Sequence, residues 1–202
     1  WAKAMITVYL CGVSVVIALV IGIPLGVLAA VNKGAGKTIG AVIDTLQTLP
    51  SFVYLIPVVM LFRIGDFTAM IAIVLYALAP AVRYAAHGIR SVSSELIEAG
   101  IMSGCTPTQI LVQIRLPLAL PNILLGINQT IMLALSMLVI TALVGTRDLG
   151  QEVYIALTRA DTGHGIIAGI SIAFIAIIAD RIVSASAKNA RIRYGLETAN
   201  DN

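Results

Sequence analysis

Residues 98–117 read Glu98-Ala99-Gly100-Ile101-Met102-Ser103-Gly104-Cys105-Thr106-Pro107-Thr108-Gln109-Ile110-Leu111-Val112-Gln113-Ile114-Arg115-Leu116-Pro117, a polar, glycine-pivoted stretch set between apolar runs. A short helix is expected to begin near Ser93 or Ser94 and to carry Glu98 to Met102. Gly104 then supplies the turn, at a point where a side chain would obstruct the backbone or a close partner. Thr106 suits the N-cap of a second helix and Pro107 its first position. The expectation is a helix-turn-helix hairpin over about 92–117, lying at a membrane surface. Such a hairpin is either an amphipathic connector resting on lipid or a docking element for another protein.

The chain around it has 202 residues, 59% hydrophobic and only 11% charged. Soluble domains carry about 25% charged residues, so this is an integral membrane protein. Apolar runs of bilayer length fall at about 5–31, 39–62, 67–88, 118–144 and 165–187. The fold class expected is an all-α membrane protein of about five transmembrane helices, in one domain covering 1–202. Small residues along the spans, Gly22 and Gly26 in the first and Ala79, Ala81, Ala85 and Ala86 in the third, call for close helix packing. Cys11 and Cys105 have no metal-ligand spacing and read as free thiols. The tail from Lys188 reads as a basic, then polar end that frays.

Charge gives an orientation. With the hairpin in the cytoplasm, that side holds Lys33, Lys37, Arg83, Arg90, Arg115, Arg181, Lys188, Arg191 and Arg193, and the outside holds Lys3, Arg63, Arg147 and Arg159. Nine basic residues against four, of the 13 in all, follow the positive-inside rule. The N-terminus is then outside and the C-terminus cytoplasmic. These basic residues are dispersed and not interleaved with exposed aromatics, which excludes nucleic acid as a partner.

Polar groups within the spans are the pathway candidates, because exposing them to hydrocarbon is costly. In the second span these are Gln47 and Thr48, followed by Phe52 and Tyr54, with Pro50 expected to kink the helix. Asp44 is placed near the cytoplasmic interface. In the fourth span Asn122, Asn128, Gln129 and Ser136 form a polar stripe that either lines a path or ties neighbouring helices together. Asp180-Arg181 is expected to close the fifth span as an ion pair or interfacial anchor. His87 is read as an edge residue and His164 as solvated in the outer loop. The loop from Gly145 to Gly165 carries a short helix, either a surface element for an external partner or a connector.

No Walker A motif occurs: Gly34-Ala35-Gly36-Lys37-Thr38 lacks the first glycine, with Val31 standing in its place. No nucleophile triad, metal cluster or paired carboxylates stand out, so an enzyme reading has little support.

Glu98 to Pro117 resembles the EAA loop of ABC importer permeases: Glu-Ala-Ala, three residues, Gly, nine residues, Ile, any residue, Leu-Pro. Only Gly100 departs, where the family usually has a second Ala. Residues 46–54, 126–137 and Asp148-Leu149-Gly150-Gln151 are similar to the glycine betaine/proline betaine permeases of the osmoprotectant importers. The resemblance covers nearly the whole chain. It implies the transmembrane domain of a type I importer in the cell inner membrane, two copies of which form the solute pathway. It further implies two ABC ATPase subunits below, which bind the ATP and Mg, and an external substrate-binding protein above; this chain holds no cofactor or metal itself. Glu98, Ala99, Gly100, Gly104, Ile114, Leu116 and Pro117 become the ATPase-coupling residues, with Glu98 at the ATPase cleft, Gly104 allowing close approach and Leu116-Pro117 joining hairpin to span. Glycine betaine or proline betaine leads as the solute, with choline or carnitine as alternatives. An autonomous secondary carrier is the contrasting reading, but neither an acid chain nor an inverted repeat supports it.

Overall fold

The computed structural model describes residues 1–193, so the expected fraying of the tail falls outside the described residues from position 194 onward. Nine α-helices follow one another among the described residues: α1 (Ala2–Val31), α2 (Lys33–Thr48), α3 (Ser51–Phe62), α4 (Asp66–Arg90), α5 (Ser94–Met102), α6 (Pro107–Gln109), α7 (Leu116–Thr141), α8 (Leu149–Thr158) and α9 (Thr162–Arg193). A π-helical stretch, Ile110–Arg115, fuses α6 to α7, and a 3-10 turn, Ala142–Val144, extends α7.

Four of these units are long and apolar enough to cross a bilayer: α1, α4, the fused Pro107–Val144 and α9. The chain is therefore a multi-pass, all-α membrane protein. The second expected span, 39–62, differs from expectation. Pro50 does not kink a helix; it ends one, and α2 meets α3 at 98°. The clash between a proline ring and the preceding residue drives Leu49 out of the helical region, to φ −72 and ψ 131, and Pro50 is itself extended. At 1.5 Å per residue α2 is ~24 Å long and α3 ~18 Å, so each is shorter than the ~30 Å hydrocarbon core. Only the bent pair together has the length of a span.

The helices pack closely where small residues face one another. A Cβ added to Gly26 of α1 would stand 2.6 Å from the Val82 carbonyl oxygen and 2.7 Å from the Ala85 Cβ of α4. Leu10, Ile73, Met137 and Leu138 are fully buried where α1, α4 and α7 meet. Tyr54 of α3 closes this core, its ring edge-on to Tyr76 with centroids 6.0 Å apart.

Two polar ends frame the bundle. At one, the Gly65 N–H donates to the Val144 carbonyl at 3.1 Å, and the Leu149 N–H donates to Thr7 Oγ1 at 3.0 Å. Asp148 caps α8 there: its Oδ1 accepts the Gln151 N–H at 3.0 Å and the Thr146 hydroxyl at 3.1 Å. Glu152 pairs with Lys3 and also with His164 Nε2 at 2.5 Å. His164 contacts Glu152 while remaining exposed, in keeping with the solvated side chain expected in the outer loop. The loop helix expected between Gly145 and Gly165 is α8. At the other end Arg90 of α4 donates to the Ala29 carbonyl, closing the last turn of α1. Arg83 joins Asp44 of α2 at 2.5 Å.

Candidate coupling hairpin and pathway residues

The hairpin is built by two opposed local signals. The α5 helix ends in a Schellman closure: the Cys105 N–H donates to the Gly100 carbonyl at 3.0 Å and the Gly104 N–H to the Ile101 carbonyl at 2.9 Å. Gly104 takes φ +80 to permit it. One residue after Cys105 a capping box opens α6, the Thr106 hydroxyl accepting the Gln109 N–H while the Gln109 side chain accepts the Thr106 N–H at 2.8 Å.

The second arm does not stop at the membrane. It runs on as a single helical rod of 38 residues, Pro107–Val144. Pro117 has no N–H to return to Gln113, and the backbone upstream widens so that the Leu116 N–H reaches back to the Leu111 carbonyl. Leu116 and Pro117 therefore lie inside a continuous helix, at the junction between hairpin and span.

The two arms meet at Gly100, which is buried against Ile114. Glu98 and Ala99 lie exposed on the outer side of α5. At the tip, Met102 is 89% exposed beside Gly104, and apart from Gly104 and its two chain neighbours no atom of the described residues comes within 4 Å of where a Gly104 Cβ would stand. A groove of about 600 Å³ runs along one flank, lined by Leu96, Ala99, Gly100, Cys105, Ile114 and Pro117 among others. Exposed apolar side chains next to open space at Gly104 and a carboxylate make this tip a surface suited to another protein.

The pathway candidates separate into two groups. Gln47, Thr48, Phe52, Gln129 and Ser136 are exposed, and Gln129 and Ser136 lie seven residues apart on one face of α7. Asn122, Asn128 and Tyr54 are turned inward. Asn122 Nδ2 donates to Ser91 Oγ at 3.3 Å, and Asn128 Nδ2 to Asp180 Oδ1 at 2.7 Å. Tyr54 is 5% exposed in the core.

Asp180 corrects the sequence reading. It neither ends α9, which continues to Arg193, nor pairs with Arg181; its partners are Asn128 and, at 3.4 Å, the Ser184 hydroxyl. The signal was in the sequence, since the apolar run resumes after Arg181 with Ile182 and Val183. Asp148 was noted only within a resemblance. It is 0% exposed, and burial holds its carboxyl above the ordinary carboxylate range, opposed by the hydrogen bonds from Gln151 and Thr146. Cys11 and Cys105 are free thiols. Among the described residues no group of three or more His, Cys, Asp or Glu side chains is placed to hold a metal ion.

Known proteins resemble this chain in sequence and in fold. The chain is 42% identical over 193 residues to the glycine betaine/proline betaine transport system permease protein ProW of Escherichia coli (strain K12), covering 96% of this chain and 54% of that protein. It is 46% identical over 191 residues to the glycine betaine/carnitine transport permease protein GbuB of Listeria monocytogenes, covering 95% and 68%. The chain thus spans about half the length of ProW. Its fold matches a chain of the MetNI methionine ABC transporter in an inward-facing conformation, with a TM-score of 0.85, 22% identity and 94% of each chain covered. A family model described as binding-protein-dependent transport system inner membrane component matches residues 22–192, and the chain belongs to that family.

Proposed function

We propose that this chain is the membrane permease subunit of an ATP-driven importer for an osmoprotectant methylated amine, glycine betaine or proline betaine above all. Two copies form the pathway, two ABC ATPase subunits bind the hairpins from the cytoplasm, and an external binding protein delivers the solute. The N-terminus is outside and the C-terminus inside, as the nine-to-four distribution of basic residues favours. The chain supplies no ATPase site of its own.

One observation supports the reading most: the hairpin tip is exposed, while its second arm is the first part of a 38-residue rod that crosses the bundle. That rod is ~57 Å long at 1.5 Å per residue. Movement of the ATPase dimer against Glu98, Met102 and Gly104 is passed along α7, whose exposed face carries Gln129 and Ser136. A solute of the carnitine type is the second reading, favoured by the name of the Listeria relative.

The test is uptake of labelled glycine betaine in cells lacking their other betaine importers, supplied with this chain, its ATPase and its binding protein. Uptake that disappears on ATP depletion is the expected result. A complex that assembles but carries no methylated amine would sink the substrate assignment, and uptake that needs no ATPase subunit would sink the importer reading.

A further inference from the structure

Asn128 sits at the middle of α7 (Leu116–Thr141), and the 2.7 Å bond to Asp180 fixes that carboxylate at the same depth. The two residues are 52 positions apart in sequence, so the pairing comes from the packing of α9 on α7. Asp180 Oδ1 is held by Asn128 and Ser184. Its other oxygen has no protein partner among the described residues, and no Lys, Arg or His there lies within ion-pair distance. Asn128 Oδ1 is also buried and unpartnered. A carboxylate within the span Thr162–Asn189 with an open oxygen is disfavoured against lipid, and such intramembrane acids usually serve a polar or functional setting.

The chemistry of the ligand follows. A trimethylammonium head has no N–H to donate, so it is recognised by negative charge or by aromatic faces. Aromatics make up 5% of this chain, and Tyr54 and Tyr76 pack against each other. Phe52 is exposed, but a ring offers only its quadrupole, whereas a carboxylate offers a full negative charge to the positive head. We propose that Asp180, positioned by Asn128 and Ser184, is a solute-contacting residue of the pathway that attracts the cationic head of the methylated amine. This rests on the importer reading above.

The complex of this chain with its ATPase subunits and binding protein, in proteoliposomes, gives the test. Asp180→Asn keeps an acceptor for Asn128 and removes the charge. Uptake of labelled glycine betaine per ATP hydrolysed is expected to fall by about tenfold or more, with ATP hydrolysis and unfolding temperature unchanged, and Asp180→Glu is expected to restore much of it. Wild-type uptake ratios in D180N, or equal losses in D180N and D180E with earlier unfolding of both, would overturn the assignment. A second measurement needs no variant. Tetramethylammonium, the cationic head alone, is expected to slow carbodiimide labelling of Asp180, and an unchanged labelling rate would also overturn it. A wild-type complex that carries no methylated amine removes the functional reading and this inference together, whereas wild-type transport beside an unaffected D180N removes this inference alone.

Discussion

The Cβ that Gly100 lacks would stand 2.6 Å from Cδ1 of Ile114, so the two arms of the hairpin touch through a missing methyl group. The atom in the way is the free end of a flexible side chain. Gly100→Ala is therefore expected to be tolerated: the helix gains about 0.5–1 kcal/mol in propensity, and a rotation of Ile114 relieves the contact. Gly100→Leu has no such escape and levers α5 away from the rod. In a membrane-vesicle assay, G100A should transport near the wild-type rate while G100L binds ATPase weakly and loses most uptake. Equal activity in both variants would show that the closeness of the arms is immaterial.

Gly104 tests the opposite face of the hairpin. Its φ of +80 costs a non-glycine residue about 1–2 kcal/mol, yet nothing in this chain occupies the space a side chain would enter. Gly104→Leu should insert into the membrane in normal amount, read by immunoblot of washed membranes, and fail to couple ATP hydrolysis to uptake. Normal uptake by this variant would mean that no partner approaches the turn and that the docking assignment is wrong.

The hairpin was legible because its signals are local: Thr106 with Gln109, Gly104 with Cys105 and Pro107 each act within a few residues of themselves. The bend at Pro50 was only half legible. A proline in an apolar run announces a disturbance, but whether the helix bends or breaks depends on how Leu49 is accommodated, and here both residues take extended backbone. The continuation of α9 past Asp180 could be read from Ile182 and Val183, but the partner that replaces Arg181, Asn128, could not, because it lies on another helix. The exposure of His164 was legible, but its contact with Glu152 was not, because that requires α8 to fold back on α9. Distances across the bundle decide such residues, and the sequence carries them only through packing.

Gly26 and Gly12 lie on the same helix and make contrasting controls. At Gly26 an added Cβ meets backbone oxygen at 2.6 Å, which cannot rotate away; at Gly12 it meets nothing within 4 Å. Gly26→Val should separate α1 from α4 and cost about 1–3 kcal/mol, the usual range for overpacking. Gly12→Val should change little. Thermal unfolding in detergent, followed by aggregation of the unfolded chain, compares them directly. A stable G26V would mean that the α1–α4 contact has slack.

Asp148 gives a pH dependence whose sign is fixed by burial. Its folded-state pKa lies above the ordinary value of 3.8, so the folded protein holds this proton more tightly than the unfolded chain does. Below 3.8 the group is protonated in both states and contributes nothing. As pH rises from there through the raised folded-state value, the folded chain must ionise a buried carboxyl, and stability falls to a lower plateau. Asp148→Asn keeps the oxygen that accepts the Gln151 N–H, and asparagine is as good an N-cap as aspartate. The unfolding temperature of wild type minus that of D148N should therefore decrease as pH is raised over that window and then level off. A difference that stays flat, or that grows with pH, would show that Thr146 and Gln151 stabilise the ionised carboxylate more than burial penalises it.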